Sequence, residues 1–161
     1  MVMERINRIV ESQQYWDYLK MIEEHERNRV YCNHGFDHAI TVARISYIYL
    51  LEQGHRFSRE IVYASALLHD IGRWVQYENG EDHAIAGVRL AQDILADAGF
   101  STAEIEQIVT GIREHRVHTG ELASPLGNAL ALADDWARDC RNCKVQDTCH
   151  KFSLDMTKVN Y

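Results

Sequence analysis

Apolar residues recur every three or four positions along most of the chain, which is the period of an amphipathic α-helix. Residues that favour helix caps stand where several of these stretches begin, and glycines stand where several end. The stretch between Gly72 and His83 breaks the pattern, and Asn79–Gly80 marks a turn within it. The pattern predicts an all-α bundle with helices over residues 12–27, 36–53, 58–72, 83–99, 101–115 and 124–137.

The ends and inward faces of these helices follow from individual residues. Ser101 and Glu104 have the spacing of a capping box, and Ser124–Pro125 supplies a cap followed by a proline at the first helical position. The spacing predicts these inward faces: Tyr15, Leu19 and Ile22; Ile40, Ala43, Tyr47 and Leu51; Val62, Ala66 and His69; Ile85, Val88, Leu95 and Ala98.

Length and composition fit one helical domain over residues 1–161, with a core at about 33–139 and a tail at 140–161. The chain has 161 residues, of which 46% are hydrophobic, enough for a substantial core. A single proline and nine glycines argue against a turn-rich all-β fold.

Charge and hydropathy narrow the class of protein. The net charge of −7 disfavours nucleic-acid binding, although a small anionic ligand stays compatible with it if a dication is bound. No apolar run approaches the roughly 20 residues that cross a bilayer. The N-terminal segment is charged and has no apolar signal region. We therefore expect a cytoplasmic protein without membrane partners and with reduced thiols.

An apolar run at residues 64–68 ends in two adjacent ionisable residues, His69 and Asp70. Burying such groups unpaired costs several kcal/mol, and a metal ion is one efficient partner for them. His38 lies on an upstream predicted helix, and Asp134 follows another apolar run. Imidazole and carboxylate ligands from three helices suit a divalent transition metal. The alternative is a set of hydrogen-bonded core residues.

These residues also carry a family resemblance. The segments His38–Ala–Ile–Thr–Val42, Ala66–Leu67–Leu68–His69–Asp70–Ile71–Gly72 and Leu132–Ala133–Asp134 resemble the HD superfamily of metal-dependent phosphohydrolases. The likeness covers about residues 33–139. It implies a helical fold in which one metal ion is held by His38, His69, Asp70 and Asp134.

Two neighbouring residues are alternative candidates for the metal-ligand positions of His38 and Asp134. His34 lies one turn before His38, although Gly35 interrupts that turn and only His38 has Val42 four residues later. Asp135 adjoins Asp134, but the aspartate directly after Leu–Ala fits the family pattern better.

The resemblance also implies a second ion. In some HD branches, including the symmetric dinucleoside tetraphosphate hydrolases and the HD-GYP phosphodiesterases, further histidines hold a second metal. His83 and His115 match those positions, with Asp70 as the bridge, although the HD-GYP signature itself is absent. In the alternative interpretation, His83 is an exposed residue of a first helical turn and His115 only complements a helix dipole.

Two arginines are candidates for binding a substrate phosphate. Arg73 follows Asp70 by three residues, and Arg116 follows His115. A guanidinium suits bidentate phosphate recognition, although Arg73 could equally be a charge at a helix end.

Four cysteines form a separate candidate site. Cys140, Cys143 and Cys149 follow the spacing C-x2-C-x5-C, and Cys32 stands alone upstream. In a reducing compartment a C-x2-C pair indicates a metal clip before a disulfide. The prediction is a structural zinc or iron–sulfur site, and the alternative is a tail with ordinary thiols.

The spacing suggests how Cys32 reaches the others. Cys32 lies six residues before His38, and Cys140 lies six residues after Asp134. Six helical residues span about 9 Å, so antiparallel helices would project both cysteines the same way. His150 is a spare ligand. The resemblance is to short bacterial HD proteins with a cysteine-rich C-terminal tail.

We therefore expect a metal-dependent phosphohydrolase that uses metal-activated water on a phosphomonoester or phosphoanhydride, in a small nucleotide-like substrate. Asp70 would bind metal and orient the water, and Arg73 would steady developing charge. One or two ions of iron, manganese, nickel, zinc or magnesium are compatible with the ligands. The alternative is a metal-containing domain that senses a nucleotide or redox state without turnover.

Overall fold

Helices make up the regular structure of residues 2–117 and 123–161, which the computed structural model describes. Within these ranges there is no β-strand, which confirms the all-α prediction. The elements are α1 (Glu4–Glu11), α2 (Gln13–Glu26), α3 (Phe36–Glu52), α4 (Arg59–Leu68), α5 (Arg73–Asn79), α6 (His83–Ala98), α7 (Thr102–Glu114), α8 (Pro125–Trp136) and the 3₁₀ turns Gln146–Thr148 and Leu154–Thr157.

The six predicted helices are present, and their caps explain where most of them begin. Ser12 accepts a hydrogen bond from the Tyr15 amide at the start of α2. The capping box of Ser101 and Glu104 opens α7, and Ser124 caps α8 ahead of its N1 proline. The third helix is shorter than predicted, because α4 ends at Leu68 and residues 69–72 form a turn.

Two short helices were not predicted. Helix α1 has eight residues with a buried pair, Ile6 and Ile9. Helix α5 has seven residues with one buried side chain, Val75, and ends at Gly80 in the left-handed conformation (φ 83°). Helix α5 is too short to repeat an apolar period, whereas α1 carries Ile6, Ile9 and Val10 at helical spacing, a signal that the sequence offered.

The predicted inward faces hold for α2 but are wrong in part for α3 and α6. Leu51 is 52% exposed and Ile85 is 50% exposed. Small residues such as Ala39 and Ala84 are buried instead. The short side chain of alanine lets neighbouring helices approach closely, so alanine occupies buried positions that the spacing of larger apolar residues does not reveal.

The helices pack so that one end of the bundle gathers several helix termini. Helix α3 packs against α4 and α8, α6 packs against α7, and α7 in turn contacts α4 and α8. Arg5 links α1 to the others through ion pairs with Glu60 (2.7 Å) and Glu104 (2.8 Å). None of the described helices combines the length and apolarity that a bilayer crossing requires.

Gly72 holds the turn after α4 tightly against α6. A Cβ atom at this position would lie 2.2 Å from the carbonyl oxygen of His83 and 2.6 Å from the amide nitrogen of Gly87. Both contacts are to backbone, so no side-chain rotation would relieve them. The absence of a side chain therefore brings Asp70, two residues earlier, next to the first turn of α6.

We predict that Gly72→Ala destabilises the fold by roughly 1–3 kcal/mol, the usual cost of overpacking. Denaturant unfolding of the variant and wild type measures the change. The control is Gly35→Ala, because a Cβ at Gly35 meets no atom within 4 Å. Equal free energies of unfolding for Gly72→Ala and wild type would show that the turn is not tightly packed.

Candidate metal centre

The candidate ligands lie at helix ends that meet inside the bundle. His38 is in the first turn of α3, while His69 and Asp70 directly follow α4. His83 opens α6, His115 follows α7, and Asp134 lies in the last turn of α8. Since α3 contributes its start and α8 its end, these two packed helices run antiparallel, as the sequence analysis supposed.

The first group contains the four residues predicted to share an ion. The ligating atoms of His38, His69, Asp70 and Asp134 all lie within 4.8 Å of one another. The His38 Nε2 atom is 2.9 Å from Asp134 Oδ1, and the His69 Nε2 atom is 3.0 Å from Asp70 Oδ2. All four side chains are less than a tenth exposed.

Two atoms at the middle of this group lack a hydrogen-bond partner. The Nδ1 atom of His69 lies 2.6 Å from the Ala66 carbonyl, which can only accept, so Nδ1 carries a proton and donates it. The buried Nε2 of His69 and Oδ2 of Asp70 have no partner, because their 3.0 Å approach lacks hydrogen-bond geometry. A cation between them would satisfy both atoms, so these residues fit a divalent ion.

The two carboxylates near His69 favour positive charge on its ring. Burial lowers the pKa of His69, but the carboxylates of Asp70 and Asp134 outweigh it and raise the pKa to about 10. The two carboxylates therefore favour positive charge at the Nε2 atom of His69, and a bound metal ion would supply it.

In the second group, two histidine nitrogen atoms that both carry lone pairs face each other. The Nε2 atoms of His83 and His115 face each other at 3.1 Å. The Nδ1 atom of His83 is bonded to Gln76 Oε1 (2.7 Å), and that of His115 to the Ile112 carbonyl (2.6 Å). With both Nδ1 atoms donating, two neutral rings would oppose lone pairs. A cation bound by both nitrogen atoms removes that repulsion.

Both histidines are neutral near pH 7. Burial, with the nearby charge of Arg73, lowers the pKa of His83 to about 3. Burial, with the charge of His69, lowers the pKa of His115 to about 4. Neutral imidazole is the form that binds metal.

Asp70 joins the two groups through its two oxygen atoms. Its Oδ2 is in contact with His69, while its Oδ1 lies 3.4 Å from His83 Nε2 and 4.0 Å from His115 Nε2. Burial opposes ionisation, but the charges of His69 and Arg73 hold the pKa of Asp70 well below its usual range. Asp70 is therefore an ionised carboxylate that belongs to both groups.

The two predicted arginines occupy different surroundings. Arg73 is largely buried at the site, and its Nε donates to Asp70 Oδ1 at 2.8 Å. Arg116 is 48% exposed and forms an ion pair with Asp82, the N-cap of α6. Only Arg73 is therefore in direct contact with a residue of the two groups.

The structure separates the competing histidine and aspartate from the ligand groups. His34 is buried, with its ring Nδ1 and its backbone amide both bonded to the Glu26 carboxylate. Neither His34 nor Asp135 belongs to the two groups found among the described residues. The preference for His38 and Asp134 agrees with this geometry.

Two contacting residues were not anticipated. Arg138 is largely buried and donates to Asp134 Oδ1 at 2.8 Å, with His38 Nε2 at 3.3 Å. Its spacing of four residues from Asp134 was the available signal, although Arg138 lies just beyond the end of α8. Gln76, which orients His83, lies in the stretch that was predicted to be irregular.

The four cysteines do not form a third group of this kind. Cys140 is buried, Cys32, Cys143 and Cys149 are partly exposed, and all four are unpaired thiols. No three of them join the described groups of ligand atoms within 4.8 Å of one another. The sulfur atoms are therefore not gathered at the spacing of a tetrahedral zinc site, and the metal site at the cysteines stays a prediction.

Comparison with known proteins agrees with the fold and with the family resemblance. The family model described as HD domain matches residues 35–139. An uncharacterized protein of Clostridium beijerinckii is 38% identical over 148 residues, which are 92% of each chain.

Shorter similarities reach two large enzymes. The bifunctional uridylyltransferase/uridylyl-removing enzyme of Rhodopseudomonas palustris is 39% identical over 59 residues, 37% of this chain and 6% of the enzyme. The same-named enzyme of Nitrobacter hamburgensis is 35% identical over 66 residues, 41% of this chain and 7% of the enzyme. The chain thus spans a small fraction of these enzymes, and no solved structure gives a significant match.

The geometry predicts two ions per chain after loading with Mn²⁺ and removal of excess metal. His83→Ala should retain one, because it removes a ligand of the second group and leaves the first intact. Elemental analysis measures the content, and His25→Ala, outside both groups, is the control. One ion in wild type and an unchanged value in His83→Ala would show that the second group binds none.

Proposed function

The chain belongs to the HD domain family, and we propose that it is a metal-dependent phosphohydrolase acting on a small nucleotide-like phosphomonoester or phosphoanhydride. The observation that carries this proposal is the sharing of Asp70 between two sets of metal-compatible ligands. Paired divalent ions are a recurring device for displacement at phosphorus.

The chemistry requires an activated water and neutralised phosphate charge. Bound divalent ions would lower the pKa of a water towards neutrality and polarise the phosphoryl group. His38, His69, Asp70 and Asp134 would hold one ion, and Asp70, His83 and His115 the other. Nitrogen and oxygen ligands together favour iron, manganese, nickel or zinc over magnesium.

The chain itself supplies two buried cations beside these ligands. Arg73 uses its Nε on Asp70, which leaves its terminal nitrogen atoms for a phosphate oxygen. Arg138 is tied to Asp134 and lies beside His38. Their guanidinium groups are positioned to bind substrate phosphate and to stabilise charge that develops during its cleavage.

A proton-handling pair lies at the edge of the site. The ring of His34 is 6.0 Å from that of His38, centroid to centroid, and Glu26 fixes its orientation. Glu26 also accepts a hydrogen bond from the Tyr77 hydroxyl at 2.7 Å. A histidine held by a carboxylate in this way is suited to passing a proton to a leaving group.

A pocket of about 870 Å³ next to His34 offers room for the rest of the substrate. Trp16 and Phe36 line it with their ring centroids 5.6 Å apart. Lys20 and Arg27 are also in its lining. Aromatic rings with nearby cations suit a nucleobase and its phosphates.

The shorter relatives point to the same class of substrate. By name, the two enzymes remove uridylyl groups, which are nucleotides attached through phosphorus. The matched segments are short, so they support nucleotide chemistry without identifying the molecule cleaved here.

A second candidate is a sensing domain without turnover. The observation that favours it is the position of Arg138, which contacts Asp134 and lies only two residues before Cys140. A change at the cysteines could thus reach a ligand of the metal centre. Turnover, with and without reductant, distinguishes the two candidates.

We predict that Mn²⁺-loaded protein hydrolyses at least one member of a panel of nucleoside mono-, di- and triphosphates, dinucleoside polyphosphates and phosphodiesters. His69→Ala should lower kcat at least 100-fold, because it removes a ligand, while the exposed His55→Ala should not. Phosphate and nucleotide release measure turnover. No activity on any member in wild type, or equal activity in His69→Ala, contradicts the proposal.

We further predict that Trp16→Ala raises KM for a nucleotide substrate about 10-fold, since stacking on one base contributes roughly 1–3 kcal/mol. KM for a non-aromatic phosphate ester should stay unchanged. Tyr161→Ala is the control, because Tyr161 is similarly exposed and stacks instead on Trp136. Equal KM changes for both substrate classes would place the nucleobase elsewhere.

A further inference from the structure

The cysteines lie together although they are distant in sequence. The Tyr31 hydroxyl donates to the Thr148 carbonyl at 3.2 Å, which joins the neighbours of Cys32 and Cys149. The Cys143 amide donates to the Cys140 carbonyl at 3.4 Å, which closes the C-x2-C turn. The loop before α3 therefore contacts the C-terminal tail beside Cys32 and Cys149.

Gln146 holds the C-x2-C turn and Cys149 together. Its side-chain Nε2 donates to the Cys140 carbonyl, and its own carbonyl accepts from the Cys149 amide at 3.1 Å. Three of the four cysteines therefore lie in one short loop of the tail, and Tyr31, next to Cys32, contacts that loop.

The spacing of the sulfur atoms distinguishes between kinds of metal. Zinc–sulfur bonds of about 2.3 Å in a tetrahedron place sulfur atoms roughly 3.8 Å apart. No three of these thiols lie within 4.8 Å of one another. An iron–sulfur cluster distributes four thiolates over several iron atoms and so holds them farther apart.

We propose that Cys32, Cys140, Cys143 and Cys149 bind an iron–sulfur cluster that is separate from the His/Asp centre. Four unpaired thiols on these contacting segments supply the full ligand set. The guanidinium of Arg138 offsets the negative charge that four thiolates bring to the cluster. Through its ion pair with Asp134, Arg138 also connects the cluster to the metal centre.

The cluster would fasten the tail to the helical core. Residues 138–161 contain only two short 3₁₀ turns, and most of their residues are at least partly exposed. Little apolar packing therefore holds this segment. Four metal–thiolate bonds would fix both the tail and the position of Arg138 at its start.

Acid-labile sulfide tests the proposal, because the His/Asp centre contributes none whichever metal it holds. Protein purified without oxygen should contain sulfide and show a broad visible absorption that dithionite bleaches. Cys140→Ser and Cys32→Ser should each lose at least four fifths of the sulfide. Circular dichroism establishes that the variants remain helical.

Two controls make the outcome specific. Asp70→Asn, which alters the metal centre, should retain sulfide and absorption, so failure of the proposed hydrolase and failure of the cluster are distinguishable. His150→Ala, beside Cys149, should retain them as well. Wild-type protein with one thiolate-bound zinc and no sulfide, or with four thiols free of metal, would overturn the proposal.

Discussion

The arrangement of the bundle depends on one buried carboxylate held between two sets of imidazoles. One oxygen of Asp70 faces His69, and the other faces His83 and His115. The pKa of Asp70 lies well below its usual range, so the carboxylate stays ionised. Partnerless atoms on Asp70 and His69 make this interior costly unless a cation is present. The fold therefore positions charge that a divalent ion would complete.

The C-terminal ends of two helices orient two of the candidate metal-binding histidines. The last carbonyls of a helix lack partners within it. His69 and His115 each donate Nδ1–H to the carbonyl three residues earlier, Ala66 and Ile112 respectively. A single hydrogen bond thus satisfies an orphan carbonyl and leaves Nε2 as the ligand atom. At the end of α7, His115 is thus a neutral hydrogen-bond donor and not the positive charge that would complement the helix dipole.

Periodicity and caps were sufficient to predict the long helices, and charged residues at the ends of apolar runs indicated the ligands. The sequence could not reveal α5, because seven residues with one buried side chain carry no period, and Gln76 was missed with it. Arg138 was missed because its role depends on α8 ending beside α3. The spacing of the thiols is likewise a tertiary property, invisible in the motif C-x2-C-x5-C.

The most direct test of the central claim is anomalous diffraction from crystals grown with Mn²⁺. The account predicts two anomalous peaks, roughly 3.5–4 Å apart, on opposite sides of the Asp70 carboxylate. One should lie against His38 and Asp134, and the other against His83 and His115. A single peak, or His83 and His115 still facing each other with no metal ion between their Nε2 atoms, would contradict it.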